Sequence, residues 1–183
     1  MFVEKWGSEN KIFATSGILG LIMAIYMVVV GEIGTEAAPF LLMIMVAGVL
    51  MLFGSAILIS KRSEYPGRPV LVGVISIFYG LSLISFGALT LAGFKLVFRS
   101  LAELLLYIVL FVIGGFLSVG LFAFISYVAM AIHLFSVDNW FLGVISIALA
   151  ILIPISFAVG IEAALLITMF CMPLAESIFV VKQ

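Results

Sequence analysis

From Val70 to Phe94 the chain carries fourteen Leu, Ile, Val and Phe residues and no charge. At roughly −0.3 to −0.6 kcal/mol each on a membrane-insertion scale, those side chains favour the bilayer by about 4 to 8 kcal/mol. About 20 such residues in a helix cross a hydrocarbon core roughly 30 Å thick. Three further runs share this character. Ile12 to Val30 and Pro39 to Ser60 are uncharged, and Leu104 to Phe135 is uncharged apart from one histidine, His133. Of the 183 residues, 66% are hydrophobic and 9% charged. A water-soluble fold of this size leaves much of itself exposed and has no place to hide that much apolar surface. The expected class is an all-α membrane protein.

Breakers and polar residues mark the boundaries. Gly31-Glu32-Ile33-Gly34-Thr35-Glu36 ends the first run, and Pro39 opens the second, as proline can in a first turn whose amides lack partners. Lys61 to Pro69 is a polar loop with two prolines and a glycine, hence a turn. Lys95 to Glu103 separates the third and fourth runs. The fourth is too short for two passes, so it crosses once and overhangs. Trp140 to Val181 as one helix would measure about 63 Å, twice the apolar thickness. It has to turn back, and Gly160-Ile161-Glu162 is the place. The expectation is one transmembrane domain, 1–183, a polytopic bundle of about six helices near 12–30, 39–60, 70–94, 104–130, 140–159 and 163–181.

Basic residues set orientation. With the N-terminus cytoplasmic, the inside segments hold Lys5, Lys11, Lys61, Arg62, Arg68 and Lys182, and the outside segments hold Lys95 and Arg99. Both termini are therefore expected in the cytoplasm. Trp6 and Trp140 fall at segment ends, where amphipathic rings prefer the interface. The charged N-terminal residues, with no small-residue cleavage site after the apolar run, argue for a retained first helix rather than a cleavable signal.

Gly73-Val74-Ile75-Ser76-Ile77 recurs as Gly143-Val144-Ile145-Ser146-Ile147. Two readings stand: an internal repeat within three helical hairpins, or chance recurrence in apolar helices that draw on few residue types.

Few residues invite chemistry. An acid inside a bilayer is a functional candidate by default, and Glu162 is the acid the apolar runs bring nearest. The turn that contains it equally makes it a helix N-terminal residue stabilised by the macrodipole. Glu162 is thus a candidate ion site whose simpler reading is structural. Lys95, Arg99 and Glu103 form an i, i+4, i+8 stripe, an interfacial turn snorkelling into headgroups or a contact for a partner or anionic lipid. Glu32 and Glu36 read as a solvated loop, and His133 as a headgroup contact. Ser76, Gly80, Gly87 and Ala88 share one helical surface, small enough for a second helix to lie close. Ser76, Gly80 and Gly87 are thus candidate partner contacts, with Lys95 and Arg99.

Other classes are disfavoured. No basic cluster suggests nucleic acid. One cysteine, Cys171, allows no internal disulfide or four-cysteine metal site. One histidine cannot provide both ligands of a bis-histidine haem. No nucleophile elbow, His-Glu-x-x-His pair or phosphate loop is present, so no cofactor, metal or catalytic residue is expected. The leading expectation is a non-catalytic accessory subunit of a larger membrane complex, packed against other membrane proteins and lipids. The alternative is a small-solute or ion transporter or channel acting as a homo-oligomer, disfavoured by a shortage of polar residues to line a path.

Overall fold

Prolines and polar caps begin the helices where the apolar runs begin. A computed structural model describes residues 7–30, 37–94 and 100–180. Pro39 lies in the first turn of α2 (Ala38–Ser60) and Pro69 in that of α3 (Pro69–Gly93). Helix α1 covers Ser8–Val30. Ser100 caps α4 (Leu101–Val109) by accepting the Glu103 backbone N–H at 3.2 Å, with Glu103 exposed at the third helical position. That Ser-x-x-Glu spacing is the signature of a capping box. A π-helical stretch, Leu110–Leu117, carries α4 without interruption into α5 (Ser118–Ser136). Asn139 caps α6 (Trp140–Val159), which ends at left-handed Gly160, φ 75°. Glycine alone enters that region without a Cβ penalty. Then come α7 (Glu162–Phe170) and α8 (Met172–Phe179).

All regular structure among the described residues is helical. Five helices are long and apolar enough to span a membrane: α1, α2, α3, the continuous Leu101–Ser136 and α6. The α7–α8 pair, bent by 47°, passes the same test as a unit, which gives up to six candidate spans. Glu162 begins the pair beside the end of α6, while Val180 just beyond it meets Asn10 at the start of α1. The broken pair therefore returns the chain to the face it started from. The start of α1 and the end of α8 lie together, with the 61–68 turn and the α5–α6 turn beside them.

Several boundaries differ from expectation: α1 starts at Ser8 rather than 12 and the fourth helix at Leu101 rather than 104. The fourth helix runs to Ser136 rather than 130, because nothing in Ala131–Phe135 breaks it. The last helix is two pieces. Proline has no N–H for the carbonyl four residues back, so Pro173 leaves the Met169 carbonyl without a helical partner.

Small residues govern the packing. A Cβ on Gly48 would stand 2.6 Å from the Gly80 carbonyl, and one on Gly80 2.8 Å from the Gly48 carbonyl. Gly73 and Gly87 likewise press on Ile59 and Met45 of α2. Ser16 ties α1 to α2 by donating to the Ala47 carbonyl at 2.9 Å. Close backbone approach replaces the hydrophobic drive that lipid does not supply. The small face of α3 is thus occupied inside the chain, against α2 at Gly80 and Gly87 and against α8 at Ser76. It is not a free surface for a partner.

Candidate functional site: the broken terminal helix and Glu176

Around the break, α3, α5 and α1 each supply what the terminal helix lacks. Tyr79 of α3 donates to the Met169 carbonyl at 2.6 Å, the group that Pro173 leaves unbonded. Tyr127 of α5 donates to the Thr168 carbonyl at 3.0 Å. On the α1 side, a Cβ on Gly20 would lie 2.5 Å from the Phe170 carbonyl, and one on Gly17 2.5 Å from the Leu174 nitrogen. Only glycine lets α1 come this close. The Leu174 N–H turns to the Cys171 carbonyl instead of Phe170, at 3.0 Å. Broken helices persist in membranes when neighbours satisfy the freed groups, and here two tyrosine hydroxyls do so.

One turn beyond the break is Glu176, fully buried. Ser76 donates to its Oε2 at 2.8 Å. Its Oε1 has no partner among the described residues. Ser76 is seven residues into α3, so the pair lies about 10 Å below that end of the helix. Tyr79 is one turn further along the same helical face. Asn10 closes the site from α1: its amide donates to the Ser177 carbonyl at 3.0 Å and to that of Val180.

Above Asn10 lies a polar cap. Glu9 is buried, accepts from Tyr65, and pairs with Lys61 at 3.3 Å. The Tyr65 phenol lies in the α2–α3 turn. Burial raises it above its ordinary range, and the Glu9 carboxylate adds to the effect. His133 is buried rather than turned to headgroups: its Nδ1 accepts the Arg68 backbone N–H at 3.1 Å and holds that turn to α5. Hydrogen bonds thus join Lys61, Glu9, Tyr65 and Asn10 to the carbonyls at the end of α8, while Ser76 and Glu176 form a separate buried pair on the α3 side of that short helix.

Other buried polar side chains are spread through the bundle: the hydroxyls of Ser55, Ser126 and Ser156 have no hydrogen-bond partner among the described residues, and Ser82, Thr90 and Thr168 bond carbonyls of their own helices. An apolar groove of about 580 Å³ opens between the π-helical stretch, α5, α6 and α7, lined by Phe116, Gly120, Phe124, Pro154 and Met169 among others. A second, of about 340 Å³, shares Phe116, Phe157 and Leu165 with it and extends to Ser156 and Glu162.

Glu162 is exposed at the start of α7, as a turn residue would be. Lys95 and Arg99 lie outside the described residues, as do Glu32 and Glu36. The buried acid, Glu176, was not legible from apolar run lengths, which merged it into the end of the last helix. Pro173, three residues earlier inside an apolar run, was the available signal. The repeated Gly-Val-Ile-Ser-Ile segments place equivalent residues inward, since Gly73, Ser76, Gly143 and Ser146 are all buried. Each glycine packs against the helix preceding its own, Gly73 on Ile59 and Gly143 on Phe135. The serines diverge: Ser76 bonds Glu176, and Ser146 donates to the Tyr127 carbonyl at 2.7 Å. No known protein family, curated protein or solved structure matches this chain.

Proposed function

We propose that this chain is a transporter for a small solute or ion, with Glu176 as its charge-handling residue and the broken terminal helix as its moving part. The observation that carries the reading is a buried, half-partnered carboxyl on a discontinuous helix. Intramembrane acids are costly and mark ion or proton routes. Discontinuous helices recur at transporter binding sites. The shortage of polar residues that counted against transport is partly offset because Ser76 of α3 and Asn10 of α1 both bond the short helix that carries Glu176.

The accessory-subunit reading stands second, on a separate observation. No residue of α4 is buried, and Gly115 alone is buried in the π-helical stretch. In this reading the Leu101–Leu117 surface packs against other membrane subunits, with membrane lipids filling the apolar groove beside it. Neither reading assigns the chain an enzymatic role or a nucleic-acid partner.

Purification in mild detergent followed by reconstitution into liposomes separates the two. Transport predicts that the protein purifies without companions and moves charge or solute on its own. Stoichiometric membrane companions, with no movement by the isolated protein, would replace it with the subunit reading.

A further inference from the structure

We propose that Glu176 is a proton-binding site in the membrane interior, and that it exchanges its proton when Asn10 releases the end of α8. The assignment deepens the transport reading and rests on it for its purpose, though not for its chemistry.

An ionised carboxylate in an apolar interior needs a cation or several donors, because the desolvation cost is otherwise several kcal/mol. Among the described residues Glu176 has one donor, the Ser76 hydroxyl, and no basic partner. The geometry, one neutral donor at Oε2 and none at Oε1, suits a neutral carboxyl better than a carboxylate.

A metal cation fits less well. Hard cations take six or more oxygens. Among the described residues no group of three His, Cys, Asp or Glu side chains assembles, and the hydroxyls of Tyr79 and Tyr127 are already given to backbone carbonyls. A proton needs one oxygen and almost no space.

The titratable groups on the helices packed around α8 are few. On α1 they are Glu9, bonded to Tyr65 and Lys61, exposed Lys11, and Tyr26, stacked on Phe40. Tyr79 lies on α3, with Tyr127 and His133 on α5. Cys171 is at the junction, and Glu162 starts α7 at the opposite face. None of them hydrogen-bonds Glu176 among the described residues.

Proton exchange requires an opening. Asn10 is buried, ties the two carbonyls at the end of α8, which carries Glu176, and accepts from Tyr65 of the cap at 3.3 Å. Releasing that tie frees the last turn of α8 toward water at that face.

Infrared spectroscopy of the full protein in lipid, titrated with pH in H₂O and D₂O, reads this directly. The expected result is a carboxylic-acid C=O band at neutral pH that disappears on alkalinisation and is missing from Glu176→Gln. Ser76→Ala should shift that band, which guards against loss through misfolding. Asn10→Ala should speed its H-to-D exchange several-fold. Absence of a Glu176-dependent band at every pH overturns the proton site, and an unchanged exchange rate in Asn10→Ala overturns the opening. A band without charge or solute movement upholds the proton site and removes the transport reading. Movement without the band does the reverse.

Discussion

Tyr79 donates its hydroxyl to the Met169 carbonyl at 2.6 Å, replacing the backbone donor that Pro173 lacks. Removing the hydroxyl with Tyr79→Phe leaves a buried carbonyl unsatisfied and should cost about 1–3 kcal/mol. Pro173→Ala restores an N–H at the position a continuous helix would use. In that background Tyr79→Phe should cost less, and a double-mutant cycle measures the coupling. Strictly additive costs would mean that Tyr79 does not compensate for Pro173.

Close contact between α2 and α3 makes a second, independent prediction. A Cβ at Gly48 meets the Gly80 carbonyl at 2.6 Å, and backbone cannot swing away as a side chain does. Gly48→Ala should destabilise the bundle by about 1–3 kcal/mol, as overpacking generally does. Gly114→Ala is the control, since the nearest atom to its Cβ is a Leu89 methyl at 3.6 Å. Thermal unfolding in detergent should separate the two variants clearly.

Alkaline pH should loosen the cap over the site. The folded protein holds the Tyr65 proton more tightly than the unfolded chain does, through burial first and the Glu9 carboxylate second. The Tyr65–Glu9 contact is therefore at full strength below pH of about 10, the ordinary phenol value, and its contribution falls as pH rises beyond it. Stability measured from pH 8 upward should decline less steeply in Tyr65→Phe than in wild type.

Glu162 should prove nearly silent. It is exposed at the first position of α7, so Glu162→Gln removes only a macrodipole contribution of about 0.3–1 kcal/mol. Any measured flux should stay within a few-fold. Complete loss of flux in a folded Glu162→Gln protein would move the ion site to the other face.

Run length and breakers made the helical class and the turn at Gly160 legible, because hydrocarbon thickness is a strict ruler. The same ruler was blind to what happens inside a span. Pro173 satisfies a hydropathy window while breaking the hydrogen-bond ladder, so the sixth helix read as whole, near 163–181, and Glu176 within it was passed over. Small residues on α3 were legible as a close-packing surface, but spacing alone does not say which helix covers it. Gly48 answers Gly80 from within the same chain. His133 sits near a helix end in sequence, yet α5 continues to Ser136 and the 61–68 turn folds over the imidazole.

Proton exchange at Glu176 is tested in sealed proteoliposomes by comparing wild type with Glu176→Gln and recording charge movement driven by a pH gradient. The amide keeps the carboxyl's shape and can still accept the Ser76 hydroxyl, so folding should survive while proton exchange cannot. The expected result is protein-dependent charge movement in wild type and at least a tenfold loss in Glu176→Gln, with unchanged elution on size-exclusion chromatography. Equal charge movement by the two proteins would contradict it.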